Sequence, residues 1–212
     1  LSFKTIYSWI HRGFLAVTKK VLRRKGKKPG TQEKRGRFNV KKTIKDRPQE
    51  VENRETFGHW ELDTMVSSRG QSKGCLATFV ERKTRFYIAI KMDDRSKDSM
   101  FLAISSLYNT LTSKLLKTFT VDRGKEFACF EQVETEFGIP MYFADAYAAW
   151  QRGSNENSNG LLREFFPKKT DLAKVTLDKL TEALVLINNR PRKCLGFKTP
   201  FDMFKHEIKK LI

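Results

Sequence analysis

The chain has 212 residues, 39% of them hydrophobic, and 42 Lys and Arg against 24 Asp and Glu give it a formal charge of +18. That length holds one well-buried domain and a small appendage. The longest clean apolar run, 183–187, is far short of the ~20 residues that span a bilayer; no secretory signal is visible, and three cysteines without a Cys-x-x-Cys argue against a disulfide framework or zinc knuckle and fit a reducing compartment.

The sequence starts at Leu1, already inside a helical pattern, and reads as a fragment or an internal start. Ile6, Trp9, Ile10 and Phe14 recur at helical spacing, so a helix is predicted over 5–15 with Gly13 as its cap. It fits the remnant of a helix-turn-helix (residues 1–15), and periodicity alone supports an ordinary packing helix equally well. Residues 1–47 carry sixteen Lys and Arg against Glu33 and Asp46, a net +14, which leaves +4 for residues 48–212. The basic run from Lys19 to Lys42, with Arg23, Arg24, Lys25, Lys27 and Lys28 at its centre, lacks both periodicity and the large apolar face of an interfacial helix. Residues 16–50 are therefore expected to be a linker that grips a polyanion, nucleic acid before membrane surface.

From residue 57 the pattern changes. Strands are predicted at 59–67, 75–82 and 86–92, joined by the turns 68–70 and 83–85 into an antiparallel meander. A helix follows at 97–112, a strand at 117–122, a helix at 126–137 ended by Gly138, and a short strand at 141–144. After a loop come helices at 155–166, stopped by Pro167, at 177–188, and from Thr199 onward. This order predicts an α/β domain over 51–212, a ribonuclease H-like mixed five-stranded sheet flanked by helices, with no internal repeat.

Three acids stand out on this frame. Asp63 lies on the first strand, where alternation puts Glu61, Asp63 and Met65 on one side and Trp60, Leu62, Thr64 and Val66 on the other. Asp122 ends the fourth strand. Glu156 opens the helix before Pro167. Three carboxylates on two strands and a helix suit a pair of divalent cations, Mg²⁺ or Mn²⁺, that clamp both oxygens of an in-line phosphoryl displacement. Glu61 and Glu126 are possible substitutes, although Glu126 better suits a helix start, where its charge complements the dipole. Arg163 is seven residues past Glu156, about two turns, so both share a face and Arg163 is placed to meet a DNA phosphate; Glu164 points elsewhere. His59 reads as a packed edge histidine, Trp150 as an anchor for the loop before the helix, and His11 and His206 as too isolated to be ligands.

Four segments carry a family resemblance: 57–64 (Phe-Gly-His-Trp-Glu-Leu-Asp-Thr), 122–127 (Asp-Arg-Gly-Lys-Glu-Phe), 150–163 (Trp-Gln-Arg-Gly-Ser-Asn-Glu-Asn-Ser-Asn-Gly-Leu-Leu-Arg) and 190–196 (Arg-Pro-Arg-Lys-Cys-Leu-Gly). The chain resembles the insertion sequence 30 family of bacterial DDE transposases along essentially its whole length. The resemblance implies an integrase-type catalytic core acting on double-stranded DNA, both terminal inverted repeats and target. It implies two Mg²⁺ or Mn²⁺ ions, a homo-oligomer in the DNA complex, no membrane, and a bacterial cytoplasmic, nucleoid-associated location. It carries Asp63, Asp122 and Glu156 over as catalytic ligands and Arg163 as their basic companion, with Arg152 of the same motif on the DNA side; Arg123, beside Asp122, is expected there from its charge. The implied reaction is strand cleavage at element ends followed by strand transfer. A DNA-binding relic or regulator without catalysis is the alternative, and a nuclease of the same fold a third reading. The chain departs from the family at Arg123, usually Asn, and at 144–149, which lacks the usual proline and is expected to be less rigid.

Overall fold

The computed structural model describes residues 2–19, 40–67, 72–145 and 148–211, in two compact units, Leu1–Lys34 and Arg35–Ile212. In the first, helix α1 spans Phe3–Arg12; the Ser2 hydroxyl caps its start and Gly13, at φ 77°, closes it in the left-handed conformation that glycine adopts without a Cβ clash. The described residues of this unit supply no second α-helix to complete a helix-turn-helix. Arg23, Arg24, Lys25, Lys27 and Lys28 lie outside the described residues, as do residues 68–70, where a turn was expected.

Residues 40–50, the described C-terminal part of the expected linker over 16–50, pack within the second unit ahead of the expected domain start at 51. Thr43 bridges Phe143, Arg47 donates to the Thr120 hydroxyl at 3.2 Å, and Val51 of α2 (Gln49–Asn53) is fully buried. The basic composition hid this, because these few residues fold by adding to an existing sheet edge and not by any pattern of their own.

The strands fall close to their predicted positions: β1 His59–Val66, β2 Cys75–Glu81, β3 Tyr87–Met92, β4 Thr118–Val121 and β5 Met141–Phe143. They form one sheet in the order β3-β2-β1-β4-β5, antiparallel on the meander side and parallel from β1 through β4 to β5. Helix α3 (Lys97–Thr110) starts at a Ser96 cap, and α4 (Phe130–Phe137) ends at Gly138, φ 69°. The predicted helix over 126–137 begins instead as a 3-10 helix, Lys125–Cys129. Helix α5 spans Gly153–Phe165, α6 Leu177–Asn188, and α7 Pro200–Lys209 behind a Thr199 cap.

Period-two alternation sorts the sheet into two cores. On one face Trp60, Leu62, Ala77, Phe79 and Phe119 pack with Met100, Ile104 and Leu107 of α3, Val133 of α4 and Phe204 of α7. On the other, Met65, Leu76, Val80 and Tyr87 pack with Leu162 of α5 and Leu180, Ala183 and Ile187 of α6. Side chains on that second face of β1, Glu61 and Asp63 among them, therefore look toward α5. Among the described residues no helix is long and apolar enough to cross a membrane.

Candidate active site

Strand register brings the first two acids together. The parallel pairs Trp60 with Phe119 and Glu61 with Thr120, carried two residues further, set Asp63 beside Asp122 across one strand spacing of ~4.8 Å. Each carboxylate is held by a backbone N–H close by: Asp63 Oδ1 accepts from the Thr64 N–H at 2.8 Å and Asp122 Oδ1 from the Gly124 N–H at 2.8 Å. Asn159 of α5 donates to Asp63 Oδ2 at 3.0 Å. Asn159 lies three residues beyond Glu156 and shares its helix face, a signal the sequence offered and the motif reading passed over.

Arg152 stands between the two carboxylates. Its guanidinium lies 3.0 Å from Asp122 Oδ2 and 3.4 Å from Asp63 Oδ1, and it also donates to the Leu62 carbonyl at 3.3 Å. An arginine predicted to meet DNA is thus engaged with the predicted ligands. Burial pushes the Asp63 carboxyl above its ordinary value, with the nearby Asp122 charge adding to it and Arg152 opposing it. A cation is what this pair of acids calls for, and the protein supplies one of its own.

A second buried acid adjoins the pair. Glu126, predicted to serve as a helix start, is fully buried; Oε1 accepts from the Thr64 hydroxyl at 3.0 Å and pairs with Arg95 at 2.6 Å. Its Oε2 is buried without a partner and presses on Gly124, where any side-chain carbon would come within 2.6 Å of it. That close approach accounts for the glycine two residues past Asp122. Arg95 lies in the irregular turn before α3, and no periodicity or spacing marked it.

Glu156 is in the first turn of α5 and exposed, and its side chain forms no hydrogen bond or ion pair with the described residues. Among the described residues no three His, Cys, Asp or Glu side chains are gathered closely enough to hold a metal. Asp63 and Asp122 fit a hard divalent cation in chemistry and adjacency; Glu156 stands on the neighbouring helix, outside that grouping. Glu164 pairs with Arg190 at 3.0 Å, away from the acids.

What fixes α5 is Glu61, two residues before Asp63 on the same strand face. Its Oε2 accepts from the Asn155 N–H at 3.0 Å, and its Oε1 pairs with the buried Arg82, which is tied to the Val51 carbonyl at 3.0 Å. No side chain within α5 caps its start, so a carboxylate from the sheet takes up one of its free N–H groups. Glu61 is therefore occupied as a cap and not available as a substitute ligand.

The remaining predicted residues divide. Arg163 donates to the Val66 carbonyl at 2.8 Å and the Phe166 carbonyl at 3.4 Å, so its guanidinium spans the end of β1 and the end of α5. Arg123 is exposed, without an ion pair to any described residue. Trp150, predicted to anchor the loop, is corrected: it is 77% exposed. The loop is instead closed by Gln151, which donates to and accepts from Asp145, while residues 146 and 147, on which the expected loss of rigidity falls, lie outside the described residues. His59 is buried against the Thr118 hydroxyl, and burial lowers its pKa to about 4, as a packed neutral histidine requires.

Residues 53–149 match the integrase core domain family model. The chain is 38% identical over 187 residues to the transposase InsI of insertion sequence element IS30A from Escherichia coli, covering 87% of this chain and 48% of that protein. It is 36% identical over 220 residues to the transposase of IS4351 from Bacteroides fragilis, covering 98% and 65%. It is 34% identical over 211 residues to a probable transposase for IS1161 from Streptococcus salivarius, covering 96% and 58%. The chain thus spans about half to two thirds of the length of these relatives. Among solved structures, the catalytic core domain of BIV integrase superimposes with a TM-score of 0.58 at 19% identity, covering 74% of this chain and all of that one. The HTLV-2 integrase catalytic core in complex with magnesium gives 0.53 at 18%, covering 69% and 95%. The sheet and its helices therefore have the ribonuclease H-like fold of retroviral integrase cores.

Proposed function

From a chain that carries an integrase core domain over 53–149 and is related to insertion-sequence transposases along most of its length, we propose a polynucleotidyl transferase that cleaves DNA at the ends of a mobile element and transfers the freed strand. The observation that carries this reading is the placement of Asp63, on β1, beside Asp122, just past the end of parallel β4, facing the helix that bears Glu156. Two such carboxylates beside a third acid on a helix are the oxygen-only donor set that phosphoryl transfer uses. Divalent metal, Mg²⁺ or Mn²⁺ and two ions, would be held by Asp63, Asp122 and Glu156 and would neutralise charge on the phosphate under attack.

The chain's own groups prepare that site. Thr64, Asn159 and Gly124 fix three of the four carboxylate oxygens, so the pair is oriented before any ligand arrives. Arg152 keeps the two acids close while they are unliganded and must leave them when a stronger cation competes. Freed, it is near enough to meet a DNA phosphate, the role the sequence resemblance implies for it. Arg95, itself exposed, pairs with the buried Glu126, whose Oε1 also accepts from the Thr64 hydroxyl and so ties the residues after Gly124 to β1. The whole protein's substrates, terminal inverted repeats and target duplex, and its homo-oligomeric synaptic assembly belong to this proposal.

The test is nicking of duplex DNA carrying element ends, with and without Mg²⁺. Asp63→Asn, Asp122→Asn and Glu156→Gln should each abolish nicking while DNA affinity stays near wild type. A variant that still cuts at a substantial fraction of the normal rate removes that residue from the active site; binding without metal-dependent nicking in the unaltered protein favours the regulator.

A further inference from the structure

On the other flank of α5 lies a cavity built from cations. Arg54, just past α2, Arg85, in the β2–β3 turn, and Arg192, after α6, line a space of about 240 Å³ together with Ser154, Asn157 and Cys194. No carboxylate of the described residues lines it. Arg85 donates to the Ser154 hydroxyl at 2.5 Å, and Arg192 donates one nitrogen to the Ile187 carbonyl at 3.2 Å while its buried Nε has no partner. Arg54 forms no hydrogen bond or ion pair with the described residues.

Two independent features show that the fold holds these groups here at a cost. Arg54 and Arg85 have left-handed backbone, φ 61° and 63°, a conformation that a Cβ disfavours. Burial, and then repulsion from Arg85 and Arg82, hold the Arg54 guanidinium below its ordinary pKa; burial, and then Arg190, do the same to Arg192. The 190–196 motif, to which no role attaches from the sequence, folds to present this site. The Arg192 N–H bonds the Lys198 carbonyl at 3.0 Å and the Phe197 N–H bonds the Arg192 carbonyl at 2.9 Å, closing a loop that carries Arg192 and Cys194 to the rim. Three guanidiniums around a space that no described carboxylate lines suit an anion, and planar forks of N–H donors match phosphate oxygens.

We infer that the Arg54–Arg85–Arg192 cavity is a phosphate site that takes one backbone phosphate of the DNA strand engaged at the neighbouring acids. It rests on the function proposed above: Asn157 of the cavity adjoins Glu156 in sequence, so a strand lying across the start of α5 meets both.

The experiment uses the full chain without divalent metal, follows duplex binding by fluorescence anisotropy, and follows alkylation of cysteines by iodoacetamide. Cys194 is exposed at the rim, whereas Cys75 and Cys129 are buried with thiols pushed up to about 12 and serve as internal controls. Saturating duplex should slow Cys194 alkylation several-fold in the wild type. In Arg54→Gln/Arg85→Gln the duplex should still bind, with a salt slope shallower by about 0.9 for each phosphate that is no longer neutralised, and Cys194 should stay reactive. Arg85→Lys, which keeps the charge, should keep most of the slope, and Lys179→Gln, on the exposed face of α6, should match the wild type. Duplex binding with Cys194 unprotected in the wild type sinks this inference alone; no duplex binding at all sinks the functional reading. Protection by inorganic phosphate but not by duplex would make the site one for free phosphate and overturn the assignment.

Discussion

The two flanks of α5 use arginine in opposite ways. Toward β1 and β4, Arg152 and Arg95 are each matched to carboxylates, Asp63 with Asp122 and Glu126. Toward the β2–β3 turn, Arg54, Arg85 and Arg192 surround a space without an acid. The acidic flank is partly neutralised from within and must give up the Arg152 contacts to accept a cation; on the basic flank only neutral oxygens, the Ser154 hydroxyl and the Ile187 carbonyl, compete with an anion. Charges satisfied within the protein contribute to stability, and charges left unsatisfied are available for binding, so substitutions on the two flanks should read out differently.

The largest effect should come from breaking what the flanks share. Glu61→Gln leaves the buried Arg82 without its counter-charge and weakens the cap on α5, and should cost about 3–5 kcal/mol, the usual loss when one member of a buried pair is removed. Denaturant unfolding measures it, and a loss under 1 kcal/mol would mean that α5 is held chiefly by Leu162 and the apolar core below it. Next is the acidic flank. Arg152→Ala removes two charge-assisted interactions and should cost roughly 1.5–3 kcal/mol in the metal-free protein. The same variant should be stabilised by Mn²⁺ at lower concentrations than the wild type, since the competing guanidinium is gone. An unchanged Mn²⁺ midpoint would show that Arg152 does not occupy the cation position. The smallest effect belongs to the basic flank: Arg54→Gln, at an exposed position, should change stability by no more than about 0.5 kcal/mol. It should also make melting less sensitive to salt, because in the wild type added salt screens the repulsion among the arginines. A destabilisation as large as that of Arg152→Ala would erase the distinction between the flanks.

Much of this was legible in the sequence because it depends on local signals. Alternation from His59 to Val66 marked β1 and put Glu61 and Asp63 on one side; Gly13 and Gly138 marked helix ends; Pro167 bounded α5. Local signals failed where the partner is distant. Residues 40–50 looked like linker because their partners, Phe143 and Thr120, lie far along the chain. Trp150 read as an anchor for the loop before α5, yet that loop is closed by Gln151 and Asp145, and the tryptophan is left at the surface. Arg95 carries no pattern, and Glu126 read as a helix start; that the two pair beside Thr64 of β1 appears only in the fold.

By itself the sequence determined the order of strands and helices, the faces of β1, and which acids to suspect, because side-chain periodicity and chain-breaking residues act within a few positions. Tertiary structure decided everything that required two segments to meet. Helix α5, rich in Gly, Ser and Asn, is poor at helix formation and has no side-chain cap of its own, so the Glu61 carboxylate and the core beneath Leu162 settle where Glu156 stands. Whether an arginine neutralises an acid or waits for an anion was decided in the same way. The guanidinium fork is the same wherever it occurs, and only the packing of sheet and helices determines whether a carboxylate lies within its reach.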